Sequence, residues 1–137
     1  MTRVIVVDDD ALVRITARVL LEEAGFDVIE TSDGAIALRL LQSAGADLVL
    51  CDLFMPGIDG LEVIREVRRQ FPDVKVIAMS GGGFDGTMDL LAVARLLGAS
   101  AAVHKPFTQR TLLSAIERTL QPPAGQNPSS QDASPQV

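Results

Sequence analysis

Three consecutive carboxylates, Asp8, Asp9 and Asp10, follow the apolar run Val4 to Val7. At an effective dielectric near 20, two carboxylates about 4 Å apart repel by roughly 4 kcal/mol, so a fold that gathers them separates them or supplies a cation. Asp10 has a plainer use, because Asp is a favoured helix N-cap and a helical pattern follows it. That use cannot absorb Asp8 and Asp9 as well. Further along, Asp52 and Ser80 each follow an apolar run, and another such run leads through His104 to Lys105. Asp8, Asp9 and Asp52 suit Mg²⁺, which prefers octahedral oxygen coordination from one or two carboxylates, waters and phosphate oxygens. A carboxylate is also a nucleophile toward phosphorus and forms an aspartyl phosphate. A metal and Lys105 neutralise charge on the transferring oxygens, and Ser80 can donate a hydrogen bond to one of them. Taken singly, each residue has an ordinary use: a helix cap, a turn, a solvated charge. Together, three carboxylates and an ammonium point to a site for a hard divalent cation and a phosphoryl group.

These residues converge only if the elements carrying them share an edge. The runs at 4–7, 26–30, 47–51, 74–79 and 100–103 have the length and β-branched content of strands buried on both faces. Helical patterns separate them. Leu12, Ile15, Val19 and the neighbouring Leu20 form an apolar stripe at helical spacing, and Gly25 stands where a left-handed stop is needed. Residues 34–44, 59–70, 87–97 and 108–120 show similar patterns, with Gly45 and Gly98 as stops. Strands alternating with helices predict parallel pairing through right-handed crossovers, hence an open doubly wound α/β sheet. Ligands of such sheets bind beyond the carboxyl ends of the strands, where Asp8, Asp9, Asp52, Ser80 and Lys105 stand. Glu30 and Thr31, at the end of the second run, receive no role.

The 137 residues fit one ordinary domain, placed at 1–120, with 47% hydrophobic residues to fill a core that is aliphatic rather than aromatic. Residues 121–137, rich in Pro, Ser and Gln, have almost nothing to bury and are expected to be a disordered tail. A net charge of −6 excludes nonspecific binding to nucleic acid or anionic membranes and favours metal cations and basic protein surfaces. A single cysteine, Cys51, within an apolar run, reads as a buried thiol in a reducing compartment. With no signal peptide and no membrane-length apolar stretch, the expected location is cytoplasmic. The glycine-rich run Gly81 to Gly86 lacks the Lys-Ser/Thr of a P-loop and the spacing of a dinucleotide fingerprint.

The motif DLFMPGIDG at 52–60, with DDD at 8–10, Ser80 and KPF at 105–107, resembles the receiver domain of two-component response regulators across residues 1 to about 120. The resemblance implies a flavodoxin-like five-stranded parallel sheet of order 2-1-3-4-5. It implies that Asp52 accepts a phosphoryl group from a histidine kinase or histidine phosphotransfer protein. Asp8, Asp9, Asp52 and the backbone carbonyl of Phe54 would hold Mg²⁺, Lys105 would contact the phosphoryl group, the Lys105–Pro106 bond would be cis, and Ser80 would transmit the switch. The chain then reads as a phosphorylation-dependent signalling switch, not a turnover enzyme, whose signal leaves by protein contacts or onward transfer. Its partner-reading surface is expected near residues 87–103.

Three departures stand out. Ala102 replaces the usual Tyr or Phe of the last strand, the four glycines of residues 80–86 make a loop that looks long, and a bulky Phe54 stands two residues past Asp52. The loop, with Phe84, is expected to act in place of the missing ring, and Phe54 either shields the acyl phosphate from water or meets a partner. Two other readings stand beside the switch: a protein-binding module that works without phosphorylation, and a Mg²⁺-dependent phosphohydrolase. The second needs a general acid where this chain has Phe54.

Overall fold

Five β-branched runs form the strands β1 (Arg3–Val7), β2 (Asp27–Thr31), β3 (Leu48–Asp52), β4 (Lys75–Ser80) and β5 (Ala101–His104). They alternate with the helices α1 (Ala11–Glu23), α2 (Gly34–Ser43), α3 (Gly60–Gln70), α4 (Leu90–Leu97) and α5 (Gln109–Leu120). The structure, a computed structural model, describes residues 1–55, 60–81 and 90–121. Most of the glycine-rich run, Phe84 and the tail from 122 lie outside the described residues. All neighbouring strands are parallel, in the order β2-β1-β3-β4-β5, as the resemblance implied.

Alternation along each strand sends successive side chains to opposite faces. Ile5, Val7, Val49, Cys51, Val76 and Ala78 meet α2, α3 and α4 through Leu41, Val63, Ile64, Val67 and Ala94. On the opposite face, Val4, Val6, Leu48, Leu50, Ile77 and Met79 meet α1 and α5 through Ala17, Leu21, Leu112, Ala115 and Ile116. Both faces are therefore covered, which is why the strands read as continuous apolar runs. The expected helix stops hold: Gly25, Gly45 and Gly98 have positive φ.

Two expectations are corrected. In the second to fifth strands the carboxyl-terminal residue lies one position later than expected, because Thr31, Asp52, Ser80 and His104 still pair with their neighbours. The chemistry-bearing residues of β3 and β4 are thus held in the ladder itself. The second correction concerns α1. Leu12, Ile15 and Val19 are mostly exposed, whereas Ala17 and Leu21 are fully buried and Val13 and Leu20 partly so. The helix carries two apolar stripes, and the sheet takes the one at 13, 17, 20 and 21.

Candidate functional site

The strand ladder ends at one edge with Asp8, Asp52 and Ser80 side by side. Asp8 is the first residue past β1, and its backbone N–H donates to the Thr31 carbonyl at 3.2 Å. Asp52 closes β3 and Ser80 closes β4, and all three are buried. Asp9 is exposed at the rim. One carboxylate oxygen from each of Asp8, Asp9 and Asp52 can be chosen so that all lie within 4.8 Å of one another.

Lys105 crosses to this cluster from the end of β5. Its backbone N–H donates to the Ser80 carbonyl at 2.8 Å. Its Nζ lies 2.8 Å from Asp8 Oδ2 and 3.4 Å from Asp52 Oδ1, with the side chain largely buried. The peptide bond from Lys105 to Pro106 is cis. A Cβ added to Gly81 would come within 3.0 Å of Lys105 Cε, so the bare backbone there lets the lysine stem pass. Gly60 makes a tighter approach, since a Cβ at the start of α3 would overlap the carbonyl oxygen of Asp52. That requirement lay unread in the motif DLFMPGIDG.

Asp10 answers the question of the third carboxylate. Its side chain caps α1, accepting from the Leu12 N–H at 2.9 Å, while its own N–H donates to Asp8 Oδ1 at 2.9 Å. It stands apart from the cluster of three and serves it through the backbone. Arg14, which drew no attention in the sequence, donates from Nη1 to the Asp8 carbonyl at 2.9 Å and from Nε to Glu30 at 3.1 Å. Glu30 thereby acquires a structural partner, and the signal was an arginine one turn beyond the Asp10 cap. The Phe54 backbone N–H donates to the Asp52 carboxylate, and the residue as a whole is 47% exposed. Ala102 is half-buried, paired with Ala78 in the sheet. His104 is exposed at the end of β5.

The electrostatics favour a cation. Burial, and then the Asp8 charge, push the Asp52 carboxyl above the ordinary Asp range; Lys105 and the Phe54 N–H pull it back only in part. Burial also opposes the Lys105 charge, but the hydrogen bond and charge of Asp8, followed by Asp52, prevail and raise its pKa. One ammonium thus faces two buried carboxylates and a third at the rim. Oxygen ligands about 2.1 Å from Mg²⁺ lie at most about 4.2 Å apart, so the three oxygens close onto one ion with small side-chain adjustments. The donor set fits.

A family model described as the response regulator receiver domain matches residues 4–117. RegX3 of Mycobacterium tuberculosis, a sensory transduction protein, is 35% identical over 120 residues, 88% of this chain and 51% of its own length. The sensor kinase/phosphatase CqsS of Vibrio cholerae is 33% identical over 114 residues, 83% of this chain and 17% of its own length. The chain therefore spans about half or less of these relatives. Among solved structures, chemotaxis protein CheY4 of Vibrio cholerae superposes with a TM-score of 0.78 at 29% identity, covering 88% of this chain and 99% of that one. The NtrX receiver domain of Brucella abortus gives 0.78 at 28% identity, covering 85% and 97%. Among the described residues no helix is long and apolar enough to cross a membrane.

Proposed function

The chain belongs to the response regulator receiver family, and from that premise we propose that Asp52 is the phosphoacceptor of a phosphorylation-dependent switch. The observation that carries the reading is the convergence of Asp8, Asp9 and Asp52 within 4.8 Å, with Lys105 Nζ 3.4 Å from Asp52. An Asp52 oxygen attacks the phosphorus of a phosphohistidine; the P–N bond breaks and the imidazole leaves. Lys105 balances charge on the transferred oxygens, and the buried pocket limits competing water. Mg²⁺ held by Asp8, Asp9, Asp52 and the Phe54 carbonyl would supply further neutralisation of that charge. Ser80, buried at the end of β4, is the hydroxyl that meets the phosphoryl group.

The donor is a histidine kinase or histidine phosphotransfer protein. It reaches Asp52 past α1, where Leu12, Ile15 and Val19 are exposed and Leu12, Val13, Thr16, Lys105, Pro106 and Phe107 line a recess of about 150 Å³. The side chain of Phe54 shields the acyl phosphate, so Phe54→Asn should lose it faster. The output leaves through α4 and β5 by an atypical route, since Ala102 supplies no ring. The protein takes up one phosphoryl group stoichiometrically and is not a turnover enzyme, and the buried Cys51 fits a reducing cytoplasm.

Intact mass after treatment with a small-molecule phosphoryl donor and Mg²⁺ tests the reading. One phosphoryl group is expected on the native protein and none on Asp52→Ala. No gain in a folded, Mg²⁺-binding protein would overturn it in favour of a phosphorylation-independent binding module.

A further inference from the structure

Asp8 and Asp9 must present two carboxylates to one ion, and their relative direction depends on the peptide bond between them. The carbonyl of that peptide, Asp8 C=O, accepts from Arg14 Nη1 at 2.9 Å. Arg14 is itself fixed: its Nε donates to Glu30 Oε1 at 3.1 Å, and the two side chains are only 18% and 20% exposed. The other oxygen of Glu30 faces Arg18 Nη1 at 3.3 Å. Asp8 is independently tied at its N–H and both carboxylate oxygens. Asp9 is exposed, so the Asp8–Asp9 peptide is the lever that sets where its carboxylate points.

We propose that Arg14, braced by Glu30, is a positioning residue for the divalent cation: it fixes the Asp8–Asp9 peptide and so presents both carboxylates to one ion. The inference rests on the reading of Asp8 and Asp9 as Mg²⁺ ligands. It sets two effects of Arg14 against each other. As a nearby positive charge it repels Mg²⁺, so neutralising it should tighten binding. As a brace it pre-forms the site, so removing it should weaken binding, as loss of groups that orient metal ligands does. A lysine at 14 keeps the charge, yet its single ammonium cannot reproduce the planar fork that donates to the Asp8 carbonyl and Glu30 at once.

Calorimetric Mg²⁺ titrations of the full chain, paired with thermal unfolding in the absence of metal, provide the test. Arg14→Gln and Arg14→Lys should each bind Mg²⁺ about tenfold more weakly. Arg18→Ala, which removes a partner of Glu30 without touching Asp8, should stay within about twofold of the wild type. If either Arg14 variant folds and binds Mg²⁺ as tightly as the wild type or more tightly, Arg14 is a structural ion pair and the proposal is wrong. An equal loss in Arg18→Ala would also overturn it, because the effect would then not depend on the contact between Arg14 and the Asp8 carbonyl. Failure of the wild type to bind Mg²⁺ would remove the metal-site reading itself, an outcome distinct from unchanged binding in the variants.

Discussion

The two sides of the pocket are built differently. On the β1–α1 side, Asp8 is held through its N–H by Thr31, its carbonyl by Arg14, and its two carboxylate oxygens by the Asp10 N–H and Lys105. On the β4–β5 side, the bond from the Lys105 N–H to the Ser80 carbonyl joins the strand ends, and Ala102 adds little bulk. Directional bonds over-determine the side that offers two of the metal ligands. Among the described residues, the other side is restrained mainly by main-chain pairing and by one ammonium that reaches across. A change of charge at Asp52 is therefore expected to displace the β4–β5 side and leave the Asp8 side in place.

Lys105 ties the two sides, so removing it breaks the comparison most severely. Lys105→Met leaves the Asp8 and Asp52 carboxylates buried and facing each other, and should lower stability by about 3 kcal/mol in denaturant unfolding without metal. Because Mg²⁺ replaces the lost positive charge, saturating Mg²⁺ should stabilise this variant more than the wild type. An equal metal effect on both proteins would show that Lys105 does not balance the cluster.

Asp10→Ala probes the first side alone. Loss of the cap should cost about 1 kcal/mol, while the backbone N–H that holds Asp8 Oδ1 remains and Mg²⁺ affinity should change less than about threefold. A large loss of Mg²⁺ affinity would add Asp10 to the groups that hold the metal.

Asp52→Asn sharpens the contrast by removing charge at the junction. The folded Asp52 carboxyl titrates above its ordinary value, so the native state holds a proton that the unfolded state has released, and stability falls as pH rises through that interval. The variant should thus be more stable than the wild type at pH 7 without metal, by up to about 1 kcal/mol. The gain should vanish as pH drops below the ordinary Asp range, near 4. A gain independent of pH between 3 and 7 would mean that burial and Asp8 are not its source.

The smallest stability effect belongs to the outer stripe of α1. Ile15→Ser and Val19→Ser should each change stability by less than about 0.5 kcal/mol, with phosphorylation by a small-molecule donor unchanged. Transfer from a protein donor should slow, and equal rates from both donors would deny the stripe any part in docking.

Much of this arrangement was legible in the chain. Apolar runs of four to six residues followed by Asp, Asp and Ser specify buried parallel strands, and parallel strands deliver their ends to one edge. That is why Asp8, Asp52, Ser80 and Lys105 could be assigned to one place before their contacts were known. The stripe at Leu12, Ile15 and Val19 marked the helix but not its buried face, for a physical reason: periodicity marks every apolar phase of a helix, and α1 has two. Arg14 and Glu30 were missed because a charged residue in a helix and another at a strand end look like solvated charges until their contact is seen.

By itself, then, the sequence determined the alternation of elements, the covered sheet and the set of groups at its edge, since these follow from local propensity and from apolar periods of two and 3.6. Only the tertiary structure decided which stripe of α1 is buried, that Arg14 and Glu30 brace the Asp8 backbone, and that Lys105 reaches Asp8 across 97 positions of chain. Those choices depend on which surfaces meet and on distances between groups remote in sequence, and a local pattern contains neither.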